Sequence, residues 1–161
     1  MSLLWPSAVT IHLLAAATWI GGMIFLSSVL APLMQGRNVP AEHVALFRSA
    51  ARRFRLVVWL SILSLLMTGP VLLHAKSIPL SIPTDWPAVL RIKLGLVALL
   101  LFLTIAHDLY LGPRSRQFEA IPAAERTPLE RILMVSGRWL ARLSLVLGVA
   151  VLVAAVVLAR S

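Results

Sequence analysis

Four stretches of this chain run without a single acidic residue, lysine or arginine: Ser7 to Gln35, Leu56 to Leu73, Leu94 to Ala106 and Leu143 to Ala159. A helix needs roughly 20 apolar residues to cross the ~30 Å hydrocarbon core of a bilayer. The pattern predicts an all-α integral membrane four-helix bundle, one four-span domain over residues 1–161, with spans at about 7–33, 56–74, 88–111 and 137–158. Composition agrees. Hydrophobic residues make up 60% and charged residues 13% of the chain, and mean hydropathy is +0.92, far from the balance of a soluble domain. The first stretch is too long for a signal-peptide core and has no basic segment ahead of it, so it reads as a true span.

Charge orients the spans. The formal net charge is +9, and the arginines cluster in two connections: Arg37, Arg48, Arg52, Arg53 and Arg55 after the first span, and Arg114, Arg116, Arg126, Arg131, Arg138 and Arg142 after the third. The other side has Lys76, Arg91, Lys93 and Arg160. The positive-inside rule then makes both Arg-rich connections cytoplasmic and both termini external. The basic excess meets anionic head groups and calls for no nucleic acid.

Local signals refine this outline. Pro32 with Gln35-Gly36 stops the first span, and Gly112-Pro113 stops the third. Residues 40–55 mix apolar and basic side chains, predicting a short amphipathic helix on the inner surface. Pro70 is expected to bend the outer end of span two, and Pro79, Pro83 and Pro87 make the outer connection an extended cap. Thr127-Pro128-Leu129-Glu130 carries a capping-box pattern, and its helix is expected to run on into span four. No internal sequence repeat is evident.

Titratable residues inside a bilayer are costly and mark functional sites by default. His12, His74 and Lys93 fall near one membrane surface, within roughly 10 Å of one another in depth at 1.5 Å per residue. Trp19 follows His12 by seven residues and shares its helix face. The chain has no cysteine, which excludes disulfides, iron–sulfur clusters and thiolate–metal sites. Two histidines from neighbouring helices suit the axial positions of b-type haem. Lys93 would then pair with a propionate, a carboxylate or a quinone oxygen, and Gly21, Gly22 and the Ala15 to Ala17 run would allow close approach of a helix or planar ring. The bland reading leaves His74 as a hydrated interfacial residue.

Copper is the alternative metal, held by His12 and His74 with thioethers from Met23, Met34, Met67 or Met134. Those methionines are scattered in depth, and methionine commonly fills apolar cores. About 21 Å deeper than Lys93, His107 and Asp108 offer an inner proton-entry or quinone-head site, or else Asp108 pairs with an arginine and locks the bundle. No Gly-x-Ser-x-Gly, His-Glu-x-x-His or phosphate-cradling loop is present, which argues against hydrolysis.

A family resemblance emerges from these residues. His12 to Gly22 contains His, then Trp19-Ile-Gly21-Gly22; Phe47-Arg48, Ala51-Arg52-Arg53-Phe54, Thr68-Gly69, Leu90-Arg91-Ile92-Lys93 and Pro113 follow in order. Together they resemble the CopD-type membrane domain (copper resistance protein D) over nearly the whole chain. The HemJ-type protoporphyrinogen oxidases look like more distant relatives, and their haem-associated first-span His and third-span Lys map onto His12 and Lys93. Phe25-Leu26-Ser27-Ser28 stands where that family has Tyr-Leu-Pro-Arg. The resemblance implies a multi-pass protein of a bacterial-type inner (plasma) membrane. It implies a haem b redox protein exchanging electrons with quinone or a membrane redox partner, or a copper-handling protein. A non-catalytic subunit of a larger respiratory or transport complex, or a homo-oligomer, is the further alternative.

Overall fold

The structure, a computed structural model, describes residues 4–34, 39–76, 78, 83–112, 114, 117, 125 and 127–160. All regular elements among them are helical. Four helices are long and apolar enough to cross a membrane: Leu4–Leu33, Ala41–Ala75, Ala88–Leu111 and Pro128–Arg160. By contacts the chain divides into two compact units, Met1–Trp86 and Pro87–Ser161.

In the first unit, α1 (Leu4–Phe25) passes into a π-helical segment, π1 (Leu26–Leu30), and a last turn, α2 (Ala31–Leu33). The cause lies in Pro32, which has no N–H to offer the Ser28 carbonyl. The wider π spacing re-pairs the backbone, with the Ala31 N–H bonded to the Leu26 carbonyl. Helix α3 (Ala41–Ala75) then returns as one rod. Ala8, Ala15, Trp19 and Ile20 of α1 are buried, as are Val58, Ser61, Ile62 and Thr68 of α3, and the two helices pack together. Small residues at Ala8 and Ala15 permit that approach.

The amphipathic segment expected to lie apart on the inner surface is the opening of α3 itself. No glycine or proline occurs between Glu42 and Thr68, so nothing breaks the hydrogen-bond ladder between the Arg-rich turns and the apolar ones. At 1.5 Å per residue α3 is ~52 Å long, longer than a ~30 Å hydrocarbon core. Pro70 lies inside α3, which continues to Ala75. In the outer connection Pro83–Asp85 forms one 3-10 turn; residues 77 and 79–82 of the expected cap lie outside the described residues.

Among the described residues the second unit likewise runs from a helix through a π segment to a long helix. Helix α4 (Ala88–Ile105) passes into π2 (Ala106–Leu111), and a single long helix, α5 (Pro128–Arg160), follows. Each π segment ends two residues before a proline, Pro32 or Pro113. Gly112 keeps helical angles (φ −60°, ψ −49°), and its N–H bonds to the His107 carbonyl. The capping box at Thr127 forms as expected: the Thr127 N–H donates to Glu130 Oε2 at 2.7 Å, and the Glu130 N–H to Thr127 Oγ1 at 3.4 Å. The helix it opens runs unbroken into the fourth apolar stretch. Leu90, Leu100 and Leu103 of α4 and Ser144 and Leu147 of α5 are buried.

Most large apolar side chains remain outside, among them Leu13, Leu14, Leu63, Leu66 and Phe102. So much uncovered apolar surface is untenable in water and is the expected exterior of helices in lipid.

Candidate functional site around His12

The Thr68 hydroxyl lies 2.7 Å from the Ser64 carbonyl oxygen and 2.7 Å from His12 Nδ1. Two oxygens that close need a proton between them, so the threonine O–H donates back along its own helix. The same oxygen must therefore accept from the imidazole. His12 thus has a proton on Nδ1, and in the neutral ring the lone pair is on Nε2. The chain His12 N–H to Thr68 O–H to Ser64 C=O joins α1 to α3 and fixes both the tautomer and the orientation of a half-buried ring.

Trp19 lies about 10 Å deeper on the same face of α1. Its ring is 3% exposed, and among the described residues its Nε1–H is buried without a hydrogen-bond partner. An orphaned buried donor is rare in native proteins and costs about 1–3 kcal/mol.

Gly22 has a definite use. A Cβ built there would overlap the Phe54 ring, so the glycine is the seat of an α3 aromatic side chain. At Gly21 an added Cβ meets nothing within 4 Å.

Of the remaining expected residues in the first unit, His74 stands apart from this relay. His74 is exposed in the last turn of α3, six residues beyond Thr68. That is about 9 Å further along the helix and some 240° around it, so His74 and Thr68 leave α3 on different faces. Lys93 is half-buried in the second turn of α4, in the second unit. His107 and Asp108 sit in π2, with Nδ1 and Oδ1 3.3 Å apart and side-chain exposures of 42% and 14%. Consecutive residues normally diverge on a helix, so this pairing is unusual. Nearby, Arg114 lies over the Tyr110 ring at 4.9 Å and Arg142 over Trp139 at 5.2 Å, cation–π contacts suited to an aqueous boundary. Met23 is half-buried and Met67 exposed, while the Met134 side chain lies outside the described residues. Among the described residues no three His, Asp or Glu side chains gather into a metal cage.

Residues 14–121 match the DUF4149 family, described as a domain of unknown function. The chain belongs to the DUF4149 family. It is also 30% identical over 106 residues to an uncharacterized protein of Aquifex aeolicus (strain VF5), covering 65% of this chain and 68% of that one. No solved structure matches. The family match begins just after His12 and includes Trp19, Thr68, Lys93, His107 and Asp108.

Two parts of the site escaped the sequence reading. Thr68 was visible only as half of Thr-Gly, and Phe54 only as the end of Arg-Arg-Phe. The available signal was the polar series Ser61, Ser64 and Thr68 within an otherwise apolar span. Its spacing of three and four residues is one helix face.

Proposed function

We propose that this DUF4149 protein is a b-type haem-binding membrane redox protein in which His12 is the axial ligand through Nε2. The observation that carries the reading is the His12–Thr68–Ser64 relay. Histidines that ligate metals characteristically donate their other ring N–H to a fixed acceptor, which sets the tautomer and raises the basicity of the ligating nitrogen. A porphyrin supplies its own equatorial nitrogens, so the protein needs to provide one or two axial groups rather than a cage. That fits a site with one oriented imidazole better than it fits protein-ligated copper. When bound, the haem would supply one-electron transfer.

The chain's own residues hold and shield the group. Thr68 keeps the imidazole turned, and the Trp19 indole N–H is the donor for an oxygen of the guest. Lys93 enters as a charge partner through its sequence depth and the CopD-type and HemJ-type resemblance alone. His74, exposed in the last turn of α3 and on another face of it from Thr68, is the sequence-based candidate for a second axial ligand. Exchange with quinone or a membrane redox partner, an external location of the relay and an N-out, C-out bundle in a bacterial-type inner membrane complete the reading.

The test is haem titration of the purified full chain in mild detergent, followed by absorbance. Wild-type protein should bind stoichiometrically with Soret and α bands that sharpen on reduction, and His12→Ala should lose them. Stoichiometric copper without such bands, lost in His12→Ala, would replace haem by the copper reading.

A further inference from the structure

A groove opens in the first unit beside the Gly22–Phe54 contact, at the arginine-bearing end. Its volume is about 480 Å³, and Thr18, Gly21 and Phe25 of α1 line it with Ala50, Phe54 and Val57 of α3. At Gly21 the groove is open, since an added Cβ there meets nothing within 4 Å. Apart from the Thr18 hydroxyl these side chains are apolar. Arg53 falls on the same stripe of α3, three residues after Ala50 and four before Val57, and it is exposed. Arg48, Arg52 and Arg55 occupy the same turns.

A small apolar trough with an exposed arginine on the same helix stripe matches one chemistry. The volume lies within the range of small-ligand clefts, and a trough of that size suits a hydrocarbon chain better than a helix 10–12 Å across. The arginines demand an anion beside it. Basic pockets between membrane helices on the positive side bind anionic lipid head groups in this way. We propose that this groove binds an anionic phospholipid, its phosphate at Arg53 and one acyl chain lying over Gly21 between Phe54 and Val57. The site does not involve His12 and stands whether or not the haem reading does.

Native mass spectrometry of the full chain, after incubation with phosphatidylglycerol or phosphatidylcholine of identical acyl chains, tests it. Phosphatidylglycerol should be retained about tenfold more than phosphatidylcholine, which carries the same phosphodiester but also a quaternary ammonium that the neighbouring arginines repel. Gly21→Leu, which fills open space, and Arg53→Gln should each lower that retention about as much. Gly95→Leu, where an added Cβ likewise meets nothing within 4 Å, should leave it unchanged. Equal retention of the two lipids, or retention indifferent to both substitutions, overturns the proposal. So does a dimer lost in Gly21→Leu while lipid persists, which would give the groove to a second copy. If Gly21→Leu fails to fold, Arg53→Gln on the exposed face decides alone.

Discussion

At the scale of single residues, a histidine becomes useful in a membrane only when something determines which nitrogen holds the proton. Thr68 does this for His12, and its own hydroxyl proton is committed to Ser64. Thr68→Val keeps the side-chain shape and removes the acceptor, so haem affinity should fall by about 10–100-fold, while Thr68→Ser should stay near wild type. Absorbance titration of the three proteins checks this. Trp19→Phe removes an unpaired buried donor. The apoprotein should melt no lower than wild type and gain up to about 1–3 kcal/mol, while haem binding weakens. A lower melting temperature with unchanged binding would deny the indole its role. His12 was legible in the sequence because an imidazole in an apolar span is conspicuous. Its partner was not, because the register between two helices is written in packing and not in either helix alone.

At the scale of elements, proline placement and glycine packing do most of the shaping. The spans themselves were readable from apolar run length, and the Thr127–Glu130 cap from its spacing. The π segments were not, since Pro32 and Pro113 announce a disruption without saying how the backbone re-pairs. Nor was the continuity of α3, where basic residues suggested a separate surface helix although no helix breaker intervened. Adjacent glycines give a sharp contrast. Gly21→Ala should stabilise by up to about 1 kcal/mol, the helix-propensity gain in open space. Gly22→Ala should destabilise by about 1–3 kcal/mol through overlap with Phe54, and Phe54→Leu in the same chain should recover part of the loss. Thermal unfolding in detergent measures both. Equal effects at the two positions would mean that Phe54 does not rest on Gly22.

At the scale of the whole molecule, the described residues of both units run helix, π segment and long helix. His12 stands twenty residues before Pro32, and Lys93 twenty before Pro113. At that register Trp5-Pro6, Ile11, Leu13, Ala17, Ile24, Leu30 and Pro32 recur as Trp86-Pro87, Ile92, Leu94, Ala98, Ile105, Leu111 and Pro113, identities that are scattered among differing apolar neighbours and so were not evident as a repeat. The N-out, C-out orientation we propose rests on charge asymmetry. With no native cysteine, Thr84→Cys should react with a membrane-impermeant maleimide from outside intact cells, and His43→Cys only after permeabilisation; the reverse would invert the topology. The most direct test of the central claim is a dithionite-reduced minus oxidised visible spectrum of wild-type and His12→Ala protein, each loaded with haem under the same conditions. The account predicts a b-type α band in the wild type that is absent from His12→Ala. Equal bands in both, or none in fully loaded wild type, would contradict it.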